Sequence, residues 1–417
     1  MTRARAVASL LALHAAGAAA GCAQVPADRA PAVRALAAAV RLVPGWAVDT
    51  AARVGDYTGG NAANPVPAVL APWRAYLADR PDSLHASPHW SAAEQRAMPA
   101  GAEYDLTRGY VFQDADWSAG TSISVLDVVP DADSSAWTVR TLFARVDSAT
   151  RDVRPLAIVR TRVVREGGRW VLASPMPAAL RGWRRESVGR LRYVLAPGHA
   201  FDRARAARAA ALVDSLARAF AVAPPDSITY LVASSPDEAQ RALGLEWALP
   251  TPGRAYAPNR FLYSANPALG EFYAHELAHV VLAPAVRETT PGMAVEGIAT
   301  WVGGSMGRDF RALMREWGAF LRARPAVTPT GIARGAYDFD GGWRATGAIL
   351  FAMVHERGGM PAVRALLDDL ARPRPASDNY VRQNEVVLDA SARALGMTRD
   401  RLDAAVRDRA LRYADGR

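Results

Sequence analysis

The sequence contains no lysine, and all 50 of its basic residues are arginine. Together with 41 acidic residues they leave a net charge of +9 at pH 7. The arginines are spread along the whole chain and alternate with acidic residues instead of forming one basic block. Because no nucleic-acid-binding motif accompanies the charge, we predict no nucleic-acid partner.

Cysteine occurs once, as Cys22, which excludes a disulfide bond within the chain. The first residues read MTRARAVASLLALHAAGAAAGCAQ, a short positive start followed by an apolar run and small residues. This order is typical of a secretory signal, and no later stretch is long and apolar enough to span a bilayer. We therefore expect residues 1–21 to be a signal peptide and residues 22–30 a tether.

The residues before Cys22 resemble the bacterial lipobox, in which a cysteine after small residues is lipidated and becomes the mature N-terminus. The lipobox prefers leucine at the position of Ala19. The resemblance implies an exported protein of the cell envelope that is lipid-anchored at Cys22 and otherwise periplasmic or secreted. Contact with a membrane is expected only through that anchor.

The length of 417 residues allows two domains, and a hydrophobic content of 50% is typical of a globular protein. Alternating apolar runs predict an antiparallel meander, with Gly167 and Gly168 in a hairpin turn; the runs are TSISVLDVV, AWTVRTLFARV, RPLAIVRTRVV and RWVLAS. With a helix predicted from Val33 to Val43, this order resembles the cystatin-like cone of nuclear-transport-factor-2-like domains. We expect a small α+β accessory domain over residues 31–185, with a small β-sandwich as the alternative.

Residues 189–417 are predicted to form a second domain of the α+β class, with a small mixed sheet followed by a helical C-terminal half. The stretches GRLRYVLAP and SITYLVAS predict strands on either side of an amphipathic helix over 203–220. A third extended run, NRFLYSAN, is predicted to be the edge strand that pairs with an extended substrate.

The stretch EFYAHELAHVVLAP carries the strongest chemical signal, because His275 and His279 stand four residues apart. On a helix this spacing places both imidazoles on one face, where each can give a nitrogen to one zinc ion. Glu276 points about 100° further round the helix and can reach a water molecule near the metal. A catalytic zinc ion needs a third protein ligand, and a second helix predicted after Pro291 contains Glu296, with Thr300 one turn further on.

The order HELAH followed by EGIAT resembles the gluzincins, zinc peptidases with two histidine ligands and one glutamate ligand, and within them the peptidase MA-like group. The resemblance implies that His275, His279 and Glu296 bind Zn²⁺, that Glu276 is the general base for a zinc-activated water, and that the substrate is a peptide or protein. The resemblance also suggests Tyr337 as the residue that stabilises the oxyanion formed when water adds to the peptide carbonyl. The gap before Glu296 is shorter than in the aminopeptidase and thermolysin branches of the gluzincins, and Thr300 stands where thermolysin-like enzymes have aspartate. The substrate preference of those branches is therefore not expected to apply to this chain.

Three other interpretations remain open from the sequence. GGSMG matches G-x-S-x-G, so Ser305 with Asp340 and His355 could form a serine hydrolase if a strand preceded the serine. The chain could also be an inactive zinc-binding pseudopeptidase, or a cell-envelope binding module whose metal domain is only structural.

The remaining histidines carry less signal. His85, His89 and His199 are predicted to be surface residues and not metal ligands.

Overall fold

The structure is a computed structural model of the chain, and it describes residues 47–49, 65–79, 87–97, 121–132, 135–147, 150, 152–247, 251–287, 289–335, 342–373 and 380–416. The predicted signal peptide with Cys22, the helix predicted from Val33 to Val43, and the candidates Tyr337 and Asp340 lie outside the described residues.

The first part of the fold is a sheet with a helix packed on one face, and the predicted meander is confirmed. Its elements are β1 (Ala47–Asp49), α1 (Val66–Asp79), α2 (Ala92–Ala97), β2 (Thr121–Pro130), β3 (Ala136–Val146), β4 (Val153–Glu166) and β5 (Arg169–Ala173). The strands lie in the order β1-β2-β3-β4-β5, and β2 to β5 are antiparallel neighbours. Gly167 and Gly168 turn β4 into β5 with φ of 58° and 80°, which glycine adopts without steric cost.

The alternation of apolar and polar residues along the strands decides which face of this sheet is buried. Val139 and Phe143 of β3 and Val159 of β4 point to one face and pack with Trp73 and Leu77 of α1. The opposite face carries charged side chains. Within the described residues this part of the chain has one sheet, not the two facing sheets of a β-sandwich.

A strand from further along the chain ties the two parts of the protein together. This strand, β9 (Leu245–Trp247), pairs with β4 of the first sheet. The Arg160 amide donates to the Gly244 carbonyl over 2.7 Å, and Gly244, with φ of 85°, passes so close that a β-carbon there would lie 2.6 Å from the Arg160 carbonyl oxygen. Glu246 forms ion pairs with Arg140 and Arg160. The accessory sheet is therefore completed by a segment from beyond residue 189.

The second sheet lies under the helical half of the protein. Its strands and adjoining helices are α3 (Met176–Ala179), β6 (Arg184–Val188), β7 (Leu191–Leu195), α4 (Arg203–Phe220), β8 (Ile228–Val232), α5 (Pro236–Ala242), β10 (Gly253–Tyr256) and β11 (Phe261–Ser264). The order is β10-β11-β8-β7-β6, with parallel pairing in the centre and antiparallel pairing at both edges.

The prediction that NRFLYSAN forms an edge strand was wrong. Its strand, β11, lies between β10 and β8, and all four of its residues are buried. An edge strand has one unpaired side, whereas β11 is paired on both sides, and its residues FLYS are buried on both faces of the sheet. Within the described residues, the strands at the two ends of this sheet are β10, with the sequence GRAY, and β6.

The helical half is confirmed as predicted. Its elements are α6 (Ala274–Leu282), α7 (Gly292–Gly303), α8 (Phe310–Arg322), α9 (Pro329–Ala333), α10 (Gly342–Leu370), α11 (Tyr380–Leu395) and α12 (Arg399–Ala414). Non-helical backbone at Gly358 and Gly359 divides α10 in two. Among the described residues, no helix combines the length and apolarity needed to cross a membrane.

Helices α7 and α10 cross at a point where neither has a side chain. A β-carbon at Gly297 would lie 2.7 Å from the carbonyl carbon of Gly347, and one at Gly347 would lie 2.4 Å from the Met293 carbonyl oxygen. Real side-chain atoms do not approach so closely, so two glycines are required for this crossing. The crossing places the middle of α7 against the first turns of α10.

We predict that Gly297→Ala destabilises the protein by about 1–3 kcal/mol, because the added methyl group must push α7 away from α10. Gly292→Ala on the same helix is the matched control, since nothing lies within 4 Å of a β-carbon there. Denaturant unfolding of both variants checks this. Equal stability of the two variants would contradict the close crossing.

Candidate metal centre

The HELAH segment forms the helix α6, and its two histidines lie side by side as predicted. Leu277, Ala278 and Val281 bury the other faces of α6 in the main hydrophobic core, which fixes the helix orientation. His275 is 5% exposed. The Nε2 atoms of His275 and His279 lie 3.1 Å apart, so both rings direct the same nitrogen toward one point.

Glu296 of α7 brings a carboxylate to that point. Its Oε2 lies 3.3 Å from His275 Nε2, and its Oε1 lies 3.5 Å from His279 Nε2. Among the described residues, these three form a group that could hold a metal ion. Tetrahedral zinc with bonds of about 2.0–2.1 Å separates its ligand atoms by about 3.3–3.4 Å. The separations of 3.1, 3.3 and 3.5 Å lie close to this value, with one Glu296 oxygen facing each histidine, so the residues present fit a zinc ion.

The carbonyl of Gly304 determines how His275 presents its nitrogens. His275 Nδ1 lies 2.8 Å from this oxygen, which can only accept a hydrogen bond, so Nδ1 is the donor and Nε2 is left as the metal-binding nitrogen. The chain reaches this position because Gly303 packs on the start of α6, where a β-carbon would lie 2.6 Å from the His275 amide nitrogen. Gly304 itself, with φ of 72°, packs against the Arg308 carbonyl.

The GGSMG segment therefore supports the metal centre and is not a nucleophile elbow. The residues before Ser305 form the helix α7, where the serine-hydrolase interpretation needed a strand. Ser305 and Arg308 exchange backbone hydrogen bonds of 3.0 Å in a tight turn. His355 is exposed on α10 and packs near Trp301, with ring centroids 5.2 Å apart.

Burial and mutual attraction set the charges of the three ligand residues in the metal-free protein. Burial alone would raise the pKa of Glu296, but the hydrogen bond from His275 and the nearby charges of His279 and Arg344 lower it to about 2. Burial lowers the pKa of His275, and the hydrogen bond to Glu296 with the charges of Glu276 and Glu296 outweighs it, so that this pKa is raised. Burial and repulsion from His275 lower the pKa of His279, although Glu296 opposes them.

Glu276 is buried beside the ligand residues, with 8% of its surface exposed. It follows His275 on α6 and so projects to a different side of the helix. Its negative charge acts on Tyr273, whose pKa is raised by burial first and by Glu276 second. Tyr273 therefore stays protonated at neutral pH, and its hydroxyl donates to the Met306 sulfur over 3.5 Å.

The segment just before α6 is fixed by buried side chains that the sequence pattern did not reveal. Glu271 is 1% exposed and accepts a hydrogen bond from the Asp202 amide, and its Oε1 lies 2.7 Å from His199 Nε2. Two tyrosine hydroxyls hold the backbone on either side, since Tyr193 donates to the Glu271 carbonyl and Tyr230 to the Gly270 carbonyl. His199, predicted to be a surface residue, is instead largely buried in this network.

Two neighbours of Glu296 differ from expectation. Thr300, one turn beyond Glu296 and so a candidate to hydrogen-bond that ligand, has a buried hydroxyl that makes no hydrogen bond within the described part of the chain. Arg344 of α10, which no motif singled out, lies with its Nε 3.3 Å from Glu296 Oε2. It could have been found only from the crossing of α7 and α10.

Comparison with known proteins finds partial similarity to solved structures only. No family profile matches the sequence, and no curated protein matches it. Among solved structures, a variant of the M1 zinc metallopeptidase from Deinococcus radiodurans bound to a Tyr-Ser-Ala substrate is 15% identical, with a TM-score of 0.35 over 69% of this chain and 63% of that chain. The M1 zinc metallopeptidase from the same organism is 14% identical, with a TM-score of 0.30 and the same coverage.

A two-domain M1 zinc metallopeptidase variant bound to L-arginine is also 14% identical, with a TM-score of 0.33 over 71% of this chain and 64% of that chain. The chain thus spans less than two thirds of the length of these structures.

We predict that zinc binding near pH 6.5, the ordinary histidine pKa, releases about one proton per ion. At that pH the raised pKa of His275 leaves it mostly protonated, whereas the lowered pKa of His279 leaves it neutral, and zinc binds only neutral imidazole. Zinc affinity should therefore fall as the pH drops through the pKa of His275. Calorimetric titration in two buffers of different ionisation enthalpy counts the protons. Release of two protons or of none would contradict the assigned charges.

Proposed function

We propose that the chain is an exported zinc-dependent metallopeptidase of the gluzincin type, with the H-E-x-x-H and downstream glutamate arrangement. The observation that carries the proposal is the meeting of His275, His279 and Glu296 at separations that suit one tetrahedral zinc ion. Within the described residues the cluster has three members. Three protein ligands leave one position open, as catalytic zinc sites do.

Glu276 is the residue placed to move protons. A zinc ion bound there would supply Lewis-acid chemistry, polarising the peptide carbonyl and acidifying water. Glu276 takes one proton from the water, whose oxygen adds to the carbonyl carbon while the C=O electron pair moves onto the carbonyl oxygen. When that pair returns, the carbon–nitrogen bond breaks, and Glu276 gives the proton to the leaving nitrogen. Because Glu276 projects away from the ligand face of α6, it remains free for this role.

The cellular location is proposed from the first 22 residues alone. Replacement of Cys22 by serine is expected to abolish incorporation of labelled fatty acid and to release the protein from the membrane fraction. Equal membrane retention of both forms would contradict a lipid anchor at Cys22.

The second candidate function is a pseudopeptidase that binds zinc without hydrolysis. It differs from the proposed function in one respect, the activity of Glu276. We predict that Glu276→Gln keeps about one zinc per chain and lowers kcat about 10²–10⁴-fold, because glutamine cannot accept the proton. Glu316→Gln on the exposed face of α8 is the control.

Cleavage of a peptide library by the zinc-loaded protein, followed by mass spectrometry with and without chelator, provides the assay. Undiminished cleavage by Glu276→Gln would contradict the mechanism, and no cleavage by the wild type would favour the pseudopeptidase.

A further inference from the structure

A single arginine lies against the metal centre. Arg344 is in the first turn of α10, three residues before Gly347, and Glu296 immediately precedes Gly297 on α7. The glycine crossing of these two helices therefore brings the arginine to the carboxylate. The closest approach joins Arg344 Nε and Glu296 Oε2 at 3.3 Å.

The guanidinium of Arg344 has hydrogen-bonding capacity to spare. Its Nε is buried without a hydrogen bond, yet 43% of the side chain is exposed, so its outer part faces solvent. Within the described residues the guanidinium makes no hydrogen bond. Besides Glu296 it lies near the ring of Trp343, whose centroid is 5.2 Å from Arg344 Cζ. Arg140, in contrast, donates hydrogen bonds to both Asp127 and Glu246.

The charges of the centre show what this cation adds. Glu276 and Glu296 contribute two negative charges, which one Zn²⁺ would neutralise, so Arg344 leaves the loaded centre with one excess positive charge. A peptide bond is neutral, but as water adds to the carbon and Glu276 takes its proton, one negative charge moves from the Glu276 carboxylate to the carbonyl oxygen. Preorganised charge that matches the transition state better than the substrate lowers the barrier. Because the negative charge moves to the carbonyl oxygen, a fixed positive charge on the side of that oxygen is complementary to the transition state.

We infer that Arg344 is a catalytic residue that donates hydrogen bonds to the carbonyl oxygen of the scissile peptide as negative charge develops on it. The role rests on the proposed peptidase function. The guanidinium remains charged at every working pH and presents several donors in a rigid plane. Tyr273, the neighbouring hydroxyl, already donates to Met306 and is neutral, so it cannot supply this charge.

The test compares Arg344→Ala, Arg344→Lys and the exposed control Arg315→Ala on α8, all in the zinc-loaded full chain. Zinc affinity, measured by competition with a chromophoric chelator, should stay within about threefold, because Arg344 is not a ligand. Kinetics use a peptide substrate found in the library. Calorimetry measures binding of a phosphinic peptide of the same sequence, whose tetrahedral anion resembles the transition state.

We expect Arg344→Ala to lower kcat about 10²–10³-fold with little change in KM, and to weaken phosphinic-peptide binding by a similar factor. Arg344→Lys should keep part of the activity, and added guanidinium ion should partly restore Arg344→Ala. A residue that only positions Glu296 would not respond to guanidinium.

Three results would overturn the role of Arg344 alone. They are wild-type kcat in Arg344→Ala, a parallel loss of zinc affinity and kcat without guanidinium rescue, or a rise in KM confined to peptides with a free C-terminal carboxylate. The last result would show that Arg344 binds that carboxylate instead. Absence of cleavage and of phosphinic-peptide binding by the zinc-loaded wild type would overturn the proposed function itself, together with this role.

Discussion

The metal centre depends on two close helix approaches that only glycine permits. Gly297 and Gly347 let α7 and α10 meet backbone to backbone, and Gly303 lets the end of α7 meet the start of α6. These approaches bring Glu296 to the two histidines and the Gly304 carbonyl to His275 Nδ1. Ligand atoms must lie within a few tenths of an ångström of their ideal positions to bind one ion. Metal binding therefore depends directly on this backbone packing.

Buried charge connects this packing to function. Carboxylates and imidazoles taken out of water are costly unless they are paired, and here they are paired with each other. Glu296 stays ionised with a pKa of about 2 because His275, His279 and Arg344 surround it. A divalent cation would take over the role of the proton on His275. The same arrangement that holds the metal-free centre together thus prepares its ligands for an ion and leaves Arg344 with unused donors.

The sequence was informative where function depends on local spacing. The four-residue interval between His275 and His279 predicts one helix face, and the order of Pro291 and Glu296 predicts a second helix that carries a third ligand. The structure brings all three residues together. The strand meander was also predictable, because alternating apolar residues report a half-buried sheet directly.

The sequence was silent where function depends on contacts between distant segments. The position of β10 at one end of the described sheet could not be predicted, because strand order depends on contacts between distant segments. His199 and Glu271 lie on separate segments, and each alone resembles an ordinary polar residue. The sequence around Ser305 was misleading for a similar reason. Its glycines allow close helix packing, and only the sequence motif G-x-S-x-G, not the structure, resembles a nucleophile elbow.

The most direct test of the metal centre is the zinc content of the purified, zinc-reconstituted chain, measured by elemental analysis beside Glu296→Ala. The geometry predicts about one zinc per wild-type chain, removable by chelator and restored on addition of zinc, and a large loss of affinity in the variant. Circular dichroism of both proteins verifies that the fold persists. A folded wild-type chain that retains no zinc, or a Glu296→Ala chain that binds zinc as tightly, would contradict the account.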